Sequence, residues 1–228
     1  PKAVMIENVR GLLDPVFAEF RDGIDQRLRG MDYVPGWRLL NASDYGVSQL
    51  RPRVVLVALK REYAGEFSWP EKSKVAAKTV GELLYPLMAE NGWDGAAEWA
   101  QKASSIAPTL VGGSHKHGGP DLGPTRARTA WAALGVEGRT IAESAPEEGF
   151  TGMPRLTVQM GGRVQGFPPG WKFTGPKTAG WRQVGNAFPP PVAEAVGKQI
   201  AKALKASVPA PQNVFALAAD EGALPLAV

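Results

Sequence analysis

The sequence predicts an α/β fold, with a small sheet near the amino terminus and a loop-rich block in the middle of the chain. The first 60 residues show strand-like and helix-like patterns in the order strand, helix, strand, strand. Residues 108–125 are then rich in glycine and proline. A loop of that length inside a compact domain is usually functional or disordered. At 228 residues, the chain suits one large domain or two small ones.

Short apolar runs mark the strands of the first block. Residues 3–6 have the composition of a buried strand, residues 37–40 form a second run, and residues 53–59 are the clearest strand pattern in the chain. Between the first two runs, apolar residues at helical spacing predict a helix over residues 14–30. We expect a turn over residues 41–48.

Helices dominate the prediction beyond residue 70. An alanine-rich stretch over residues 75–103 favours helix, and further helices are predicted over residues 124–135, 155–166 and 190–205. The last of these is amphipathic, and three consecutive prolines open it, as suits the first turn of a helix. The final stretch, residues 206–228, is rich in alanine and proline and is expected to be a poorly ordered tail.

Charge is unevenly distributed along the chain, although the net charge is only +4. Residues 151–205 carry eight Lys and Arg against one acid, a net +7, whereas residues 70–150 carry eight against ten, a net −2. A basic block beside a near-neutral block is typical of a protein that holds a polyanion on one face. A solvated basic helix end would give the same pattern.

Composition excludes several kinds of site. The chain has no cysteine, so disulfides, cysteine-ligated zinc and thiolate catalysis are excluded within it, and two histidines are too few for a typical zinc site. We therefore expect no metal. The sequence contains no apolar run of 18 residues and no signal peptide, so no membrane association is expected. The first residue is Pro1 rather than Met, which suggests a chain that is incomplete at its amino terminus.

Charged side chains flank two of the predicted strands. Glu7 follows the first strand, where α/β folds place their sites, although such a residue can simply be the partner of a helix N-terminus. Arg51 and Arg53 are two residues apart, so in a strand they share one face. Two guanidinium groups on one face can bind a carbonyl or phosphate oxygen, or can pair with surface acids.

Two further segments are candidates for ligand contact. Gly185, Asn186 and Ala187 precede the proline-opened helix, whose N-terminus can face an anion or can be only a well-formed helix start. In the glycine-rich loop, His115, Lys116 and His117 suit a segment that enters a DNA groove. A metal bound by the two histidines would have too few further ligands.

Four motifs, taken in order, resemble those of the bacterial DNA (cytosine-5) methyltransferases. Residues 6–9 resemble the Glu-Asn-Val motif. Residues 45–53 resemble the Gln-x-Arg-x-Arg motif, with Ser48 where proline is common. Residues 155–168 resemble the motif that ends in Gln-Gly-Phe-Pro, without its usual acidic residue, and residues 183–190 resemble the final Gly-Asn motif. The resemblance covers residues 1–205, with a variable block between the second and third motifs.

The resemblance implies a methyl transfer from S-adenosylmethionine to C5 of a cytosine that is flipped out of double-stranded DNA. In this family a cysteine attacks C6, and the glutamate, here Glu7, hydrogen-bonds N3. By the same resemblance, Arg53 contacts the flipped base with Arg51 beside it, and Asn186 and Ala187 line the methyl-donor site. DNA contacts are expected from the loop residues His115, Lys116 and His117, and from Arg126, Arg128 and Arg163. Arg163 is also expected to organise the recognition domain.

The resemblance also implies a domain organisation. Residues 1–69 would belong to a partial Rossmann-like methyltransferase lobe, residues 70–150 would form a small, mixed, loop-rich target-recognition domain, and residues 151–205 would return to the catalytic lobe. The family's Pro-Cys motif and its glycine-rich methyl-donor loop belong before residue 6, and neither is present. We therefore expect an N-terminal half or a partner subunit to supply both, and we expect the surface that this part would cover to be apolar.

Three interpretations remain open from the sequence. The chain is part of a methyltransferase that is inactive without its other half, a DNA-binding module without catalysis, or an interaction protein that uses the same scaffold. The first would place it in the bacterial cytoplasm on DNA, and it fits a restriction–modification system. Glu7, Arg51 and Arg53 favour the first interpretation, because a pure DNA reader has no use for residues that line a base pocket.

Overall fold

The computed structural model describes residues 1–112 and 119–206, and it confirms the predicted α/β fold. Within these residues, strands β1 (Ala3–Val9), β2 (Tyr33–Asn41) and β3 (Pro52–Lys60) form a sheet in the order β1–β3–β2. Strand β3 is antiparallel to both neighbours, so β1 and β2 run in the same direction. All strand pairing in this sheet is therefore antiparallel, and the most apolar strand lies in the centre.

Helices account for most of the remaining structure. Three short 3₁₀ helices cover Arg10–Leu13, Pro15–Phe17 and Ala42–Tyr45. The α-helices are α1 (Ala18–Gly30), α2 (Arg61–Ala64), α3 (Val80–Met88), α4 (Ala96–Lys102), α5 (Thr125–Ala133), α6 (Val158–Gln165), α7 (Lys177–Asn186) and α8 (Pro190–Lys205). Helix α8 has the predicted bounds of residues 190–205.

The sheet is packed on both faces. On one face, alternate residues of β3 pack against the apolar side of α8, and Val192 and Val196 lie in that core. On the other face, Leu56 and Ala58 pack with Leu28 of α1 and with Tyr33. Strand β3 is therefore buried on both sides, which explains its continuous apolar sequence. We call the sheet with α1 and α8 the sheet lobe.

A second hydrophobic core lies outside the sheet and extends from Val80 to Val184. It contains the buried tryptophans Trp93, Trp99, Trp131 and Trp181. Helices α6 and α7 belong to this core, so they pack with the middle block, and of the helices in residues 151–205 only α8 packs on the sheet. Residues 151–205 therefore contribute to both cores, and the domain boundaries expected from the sequence stay a prediction. We call this second unit the recognition lobe.

Two helical predictions differ from the structure for local reasons. The stretch over residues 75–103 contains two helices, and Gly92 between them adopts a positive φ of 82°, a conformation that a helix does not allow. Helix α7 was not predicted, because Gly180 and Gly185 lower its helical propensity. Gly185 therefore lies in the last turn of a helix, where the sequence suggested only a turn.

The remaining predictions concern segments outside the described residues, membrane-spanning helices and metal sites. The predicted loop residues 115–117 and the tail from residue 207 lie outside the described residues. Within the described ranges, none of the helices is long and apolar enough to cross a lipid bilayer. Residues 1–112 and 119–206 also contain no group of three or more acidic or histidine side chains arranged to hold a metal ion.

Candidate active site

Glu7 and Arg53 form an ion pair near the end of β1. The strand register places Glu7 opposite Val55, and Val9 opposite Arg53. Side chains of directly opposed residues share a face, so Glu7 and Arg53 are diagonal neighbours on one face of the sheet. Arg53 Nε lies 2.7 Å from Glu7 Oε1, and both side chains are mostly buried, at 13% and 24% exposure. The structure thus brings together two residues that belong to separate predicted motifs.

The geometry of the pair fixes both side chains. Arg53 also donates from Nη1 to the carbonyl of Pro52 at 2.9 Å, so its guanidinium has a fixed orientation. Burial lowers the pKa of Arg53, and the carboxylate of Glu7 opposes that shift. Charge-assisted hydrogen bonds of this length are the stronger ones in proteins. A carboxyl group held this way, partly open to solvent, can contact a planar, polar ligand such as a nucleobase.

Arg51 is buried, at 1% exposure, and lies two residues before Arg53 in the chain. Its Nη1 donates to the Leu110 carbonyl at 2.8 Å, and its Nη2 donates to the Gly185 and Ala187 carbonyls at 2.8 and 2.9 Å. Burial lowers the pKa of Arg51 to about 10, and the neighbouring Arg53 acts in the same direction. At neutral pH Arg51 therefore stays charged and keeps its donors. These contacts are those of a positioning side chain, and a contact with the target base stays a prediction.

Two glutamines accompany Arg51, and the sequence patterns did not single them out as site residues. The side chain of Gln49 accepts from the Leu110 N–H at 2.7 Å and donates to Gln165 Oε1 at 2.7 Å. It also donates to the Val164 carbonyl at 3.3 Å, and Gln165 in turn donates to the Ala187 carbonyl. Both side chains are fully buried. Each of these glutamines lies inside one of the predicted motifs, and that position could have identified it as a site residue.

The end of α7 lies against the start of the glycine-rich loop. A Cβ atom added to Gly185 would lie 2.3 Å from the Gly112 nitrogen, and one added to Gly112 would lie 2.6 Å from Asn186 Oδ1. The first distance is to backbone, so the position of Gly185 requires glycine, whereas the second is to a side-chain oxygen that can move aside. Asn186 is exposed, and its side chain has no hydrogen bond to residues 1–112 or 119–206. Its amide lies close to Gly112, at the start of the glycine-rich loop.

The residues predicted to contact DNA are partly placed by the structure. Arg126 is exposed on α5, and Arg128 is half-buried with a hydrogen bond of 3.3 Å to Thr125 Oγ1. Arg163 lies on α6 and donates to the Phe167 carbonyl at 2.5 Å, which fixes the turn after that helix. This contact agrees with a role for Arg163 in organising the recognition lobe. Contacts of these residues with DNA stay predictions.

The whole site lies within a region that matches one protein family. The sequence profile described as C-5 cytosine-specific DNA methylase matches residues 1–202. The chain belongs to this family. Its members use S-adenosylmethionine as the methyl donor, and this confirms the predicted cofactor class. The exposed amide of Asn186 is a donor and acceptor that fits such a ligand, whereas the backbone groups of Ala187 are already engaged.

Individual relatives agree with the family. The chain is 58% identical to the type II methyltransferase M.NaeI of Lentzea aerocolonigenes over 207 residues, which are 90% of this chain and 50% of that protein. It is 54% identical to M.NgoMIV of Neisseria gonorrhoeae over 208 residues, 90% of this chain and 66% of that protein. The chain therefore spans about half to two thirds of these relatives.

Solved structures support the same fold. The Dnmt2 methyltransferase of S. pombe superposes with a TM-score of 0.54 at 16% identity, covering 90% of this chain and 69% of that chain. The predicted Rossmann-like methyltransferase lobe is thus confirmed at the level of the fold.

An apolar surface lies at the edge of the sheet lobe. Within the described residues, β1 pairs with β3 on one side and has no strand on its other side. Large apolar side chains are exposed on β1, on the 3₁₀ helix Pro15–Phe17 and in the first turn of α1, namely Met5, Ile6, Val9, Val16, Phe17 and Phe20. Exposed apolar side chains and an unpaired strand edge together form a surface that is typical of an interface. We call it the β1 edge.

Proposed function

We propose that this chain is part of a DNA cytosine-5 methyltransferase. It forms one wall of the cytosine pocket, and it also contains the target-recognition lobe. The observation that carries the proposal is the Glu7–Arg53 pair, in a chain of this family, two residues from Arg51, whose side chain is hydrogen-bonded to the recognition lobe. The complete enzyme would transfer a methyl group to C5 of a flipped cytosine at a specific site, in the bacterial cytoplasm. S-adenosylmethionine, when bound, supplies the methyl group.

In this proposal the residues of the chain bind and orient the base. Glu7, with a proton on the carboxyl oxygen that does not face Arg53, donates a hydrogen bond to N3 of the cytosine and makes C6 more electrophilic. Arg53 holds the carboxyl group of Glu7 in place and contacts the base from the same face of the sheet. Asn186, at the end of α7, faces the methyl donor through its exposed amide. Arg126 and Arg128, with the loop residues His115, Lys116 and His117, contact the DNA.

We further propose that the nucleophilic cysteine is supplied by an N-terminal half or partner subunit that docks on the β1 edge. The chain contains no cysteine, and it spans only 50% and 66% of M.NaeI and M.NgoMIV. An added strand would satisfy the open backbone groups of β1 and cover Ile6, and the same segment would cover Phe17 and Phe20. Such a partner explains why apolar side chains are exposed there.

A chimera tests the proposal directly. In M.NaeI, the stretch that aligns with this chain is replaced by this chain, so that the rest of M.NaeI supplies the other wall; we call this protein the chimera. With radiolabelled S-adenosylmethionine and DNA, we expect methyl transfer by the chimera and none by the isolated chain. Transfer by the isolated chain would contradict the division of the pocket. A folded chimera without any activity would contradict the proposed function itself.

DNA binding by the isolated chain separates this proposal from a role as a protein-interaction module. Because basic side chains would neutralise backbone phosphates, we expect the Kd for duplex DNA to rise by about 10³- to 10⁵-fold between 50 and 200 mM salt if six to ten phosphates are contacted. Fluorescence anisotropy with a labelled duplex measures this dependence. A Kd that does not change with salt, or no binding at low salt, would favour the interaction module.

A non-catalytic DNA reader would bind DNA with the same salt dependence. The two differ in the role of Glu7. In the proposed enzyme Glu7 contacts the target base, whereas a reader does not need a carboxyl group paired with an arginine at this position. The chimera assay separates the two, because a reader placed in M.NaeI would give DNA binding without methyl transfer.

A further inference from the structure

Three buried polar side chains join the two lobes, namely those of Gln49, Arg51 and Gln165. We call these side chains and their hydrogen bonds the polar hub. We propose that the polar hub sets the register between the bases that the recognition lobe reads and the cytosine that enters the pocket of Glu7 and Arg53. The inference rests on the proposed function. It assigns Gln49 and Gln165 as positioning residues, which act through the backbone of both lobes.

The hydrogen bonds of the polar hub form a closed ring. Leu110 of the recognition lobe is held at both of its backbone groups, because its N–H donates to Gln49 and its carbonyl accepts from Arg51. The ring continues through Gln49 to Gln165 at 2.7 Å. It closes at the Ala187 carbonyl, which accepts from both Gln165 and Arg51. Each lobe is therefore bound to the other through more than one path.

The ring allows only one relative position of the lobes. Gln49, Arg51 and Gln165 are each 0–1% exposed, so water cannot replace a hydrogen bond that is lost when the lobes shift. Leaving such a buried group without a partner is costly, and Arg51 Nε, which is buried without a hydrogen-bond partner among the described residues, leaves the two Nη groups to make all the bonds of that side chain. The direct backbone contact between Gly185 and Gly112 lies next to the ring and restricts the same movement.

The polar hub lies only a few residues along the chain from the base pocket. Arg51 is two residues from Arg53, whose Nε holds Glu7 at 2.7 Å. On the other side, Leu110 leads into the glycine-rich loop, and Gly185 precedes Asn186 in α7. A displacement at the ring therefore changes the distance between the pocket and the recognition lobe, and with it the choice of the cytosine that reaches the pocket.

The test replaces Gln165 or Gln49 with methionine in the chimera, because methionine keeps the volume and removes the hydrogen bonds. The control is Gln159→Met, which changes an exposed glutamine on the same helix, α6. We expect kcat to fall by about 10- to 100-fold in both hub variants, since displacements of about 1 Å at a reacting centre have effects of this size. The Kd for DNA should change less than about twofold, because phosphate contacts dominate it.

The position of methylation is the second readout, and bisulfite sequencing of the product DNA reports it. We expect the hub variants to methylate cytosines beside the normal position, and we expect the control to keep the position of the unsubstituted chimera. Variants that lose thermal stability but keep the normal kcat and position would overturn the inference. If the unsubstituted chimera is inactive, the proposed function fails, and that outcome is distinct.

Hydrogen exchange in the isolated chain provides a test that does not depend on how the variants fold. If the ring is intact, the amide of Leu110 should exchange as slowly as that of Val164 in the core of α6. Rapid exchange at Leu110 beside slow exchange at Val164 would show that the lobes separate there, and it would overturn the inference.

Discussion

Replacing Glu7 with glutamine in the chimera is expected to lower kcat for methyl transfer by about 10²- to 10⁴-fold. Glutamine has the same shape and can still accept a hydrogen bond from Arg53, which lies 2.7 Å from the carboxylate. It cannot transfer a proton to N3 of the cytosine, so the base is less activated toward attack at C6. A loss of this size corresponds to about 3 to 5 kcal/mol of transition-state stabilisation.

The control for this substitution is Glu66→Gln, which removes an exposed carboxylate of the sheet lobe outside the pocket. Single-turnover kinetics with saturating DNA separate chemistry from binding. We expect the control to match the unsubstituted chimera. If the Glu7→Gln variant binds DNA normally and its rate of methyl transfer stays within a few fold of that of the unsubstituted chimera, Glu7 has no part in the reaction.

Replacing Trp181 with alanine is expected to cost about 3 to 5 kcal/mol of the free energy of unfolding. Trp181 is fully buried in the core of the recognition lobe, and its ring packs so closely on Gly161 that a Cβ there would lie 2.4 Å from the ring. Its Nε1 also donates to the Asp121 carbonyl at 3.1 Å. The substitution would thus leave a large cavity and an acceptor without its partner.

Urea unfolding followed by tryptophan fluorescence measures this loss, because five of the seven tryptophans lie between residues 93 and 181. The same substitution at Trp171 is the control, since that side chain is 49% exposed and packs mainly against Phe167. We expect Trp171→Ala to cost about 1 kcal/mol or less. Equal losses at the two positions would contradict the assignment of Trp181 to the core.

Much of the fold could be predicted because its signals are local. The continuous apolar run of β3 reflects burial on both faces, and three prolines define the start of α8. The resemblance also implied that Glu7 and Arg53 contact the same base, but it did not imply their ion pair. Its basis is physical, since antiparallel pairing of β1 with β3 places both side chains on one face.

Other features depend on contacts between distant parts of the chain. Helix α7 contains glycines that weaken its local signal, but Gly185 is required there because the backbone of Gly112 lies against it. Arg51 and Arg53 have the spacing of a shared strand face, yet Arg51 lies just before β3 and its guanidinium is buried among carbonyls of the other lobe. The role of Gln165 depends on Gln49, 116 positions away. Patterns within a few residues do not contain that information.

The central claim is that Glu7 and Arg53 face the target cytosine, and a crystal structure of the chimera bound to DNA tests it most directly. We expect one cytosine outside the duplex, with N3 within hydrogen-bond distance of the Glu7 carboxyl group and with Arg53 beside the ring. A cytosine that remains stacked in the duplex, or one that is flipped into another part of the protein while the Glu7–Arg53 pair faces solvent, would contradict the claim.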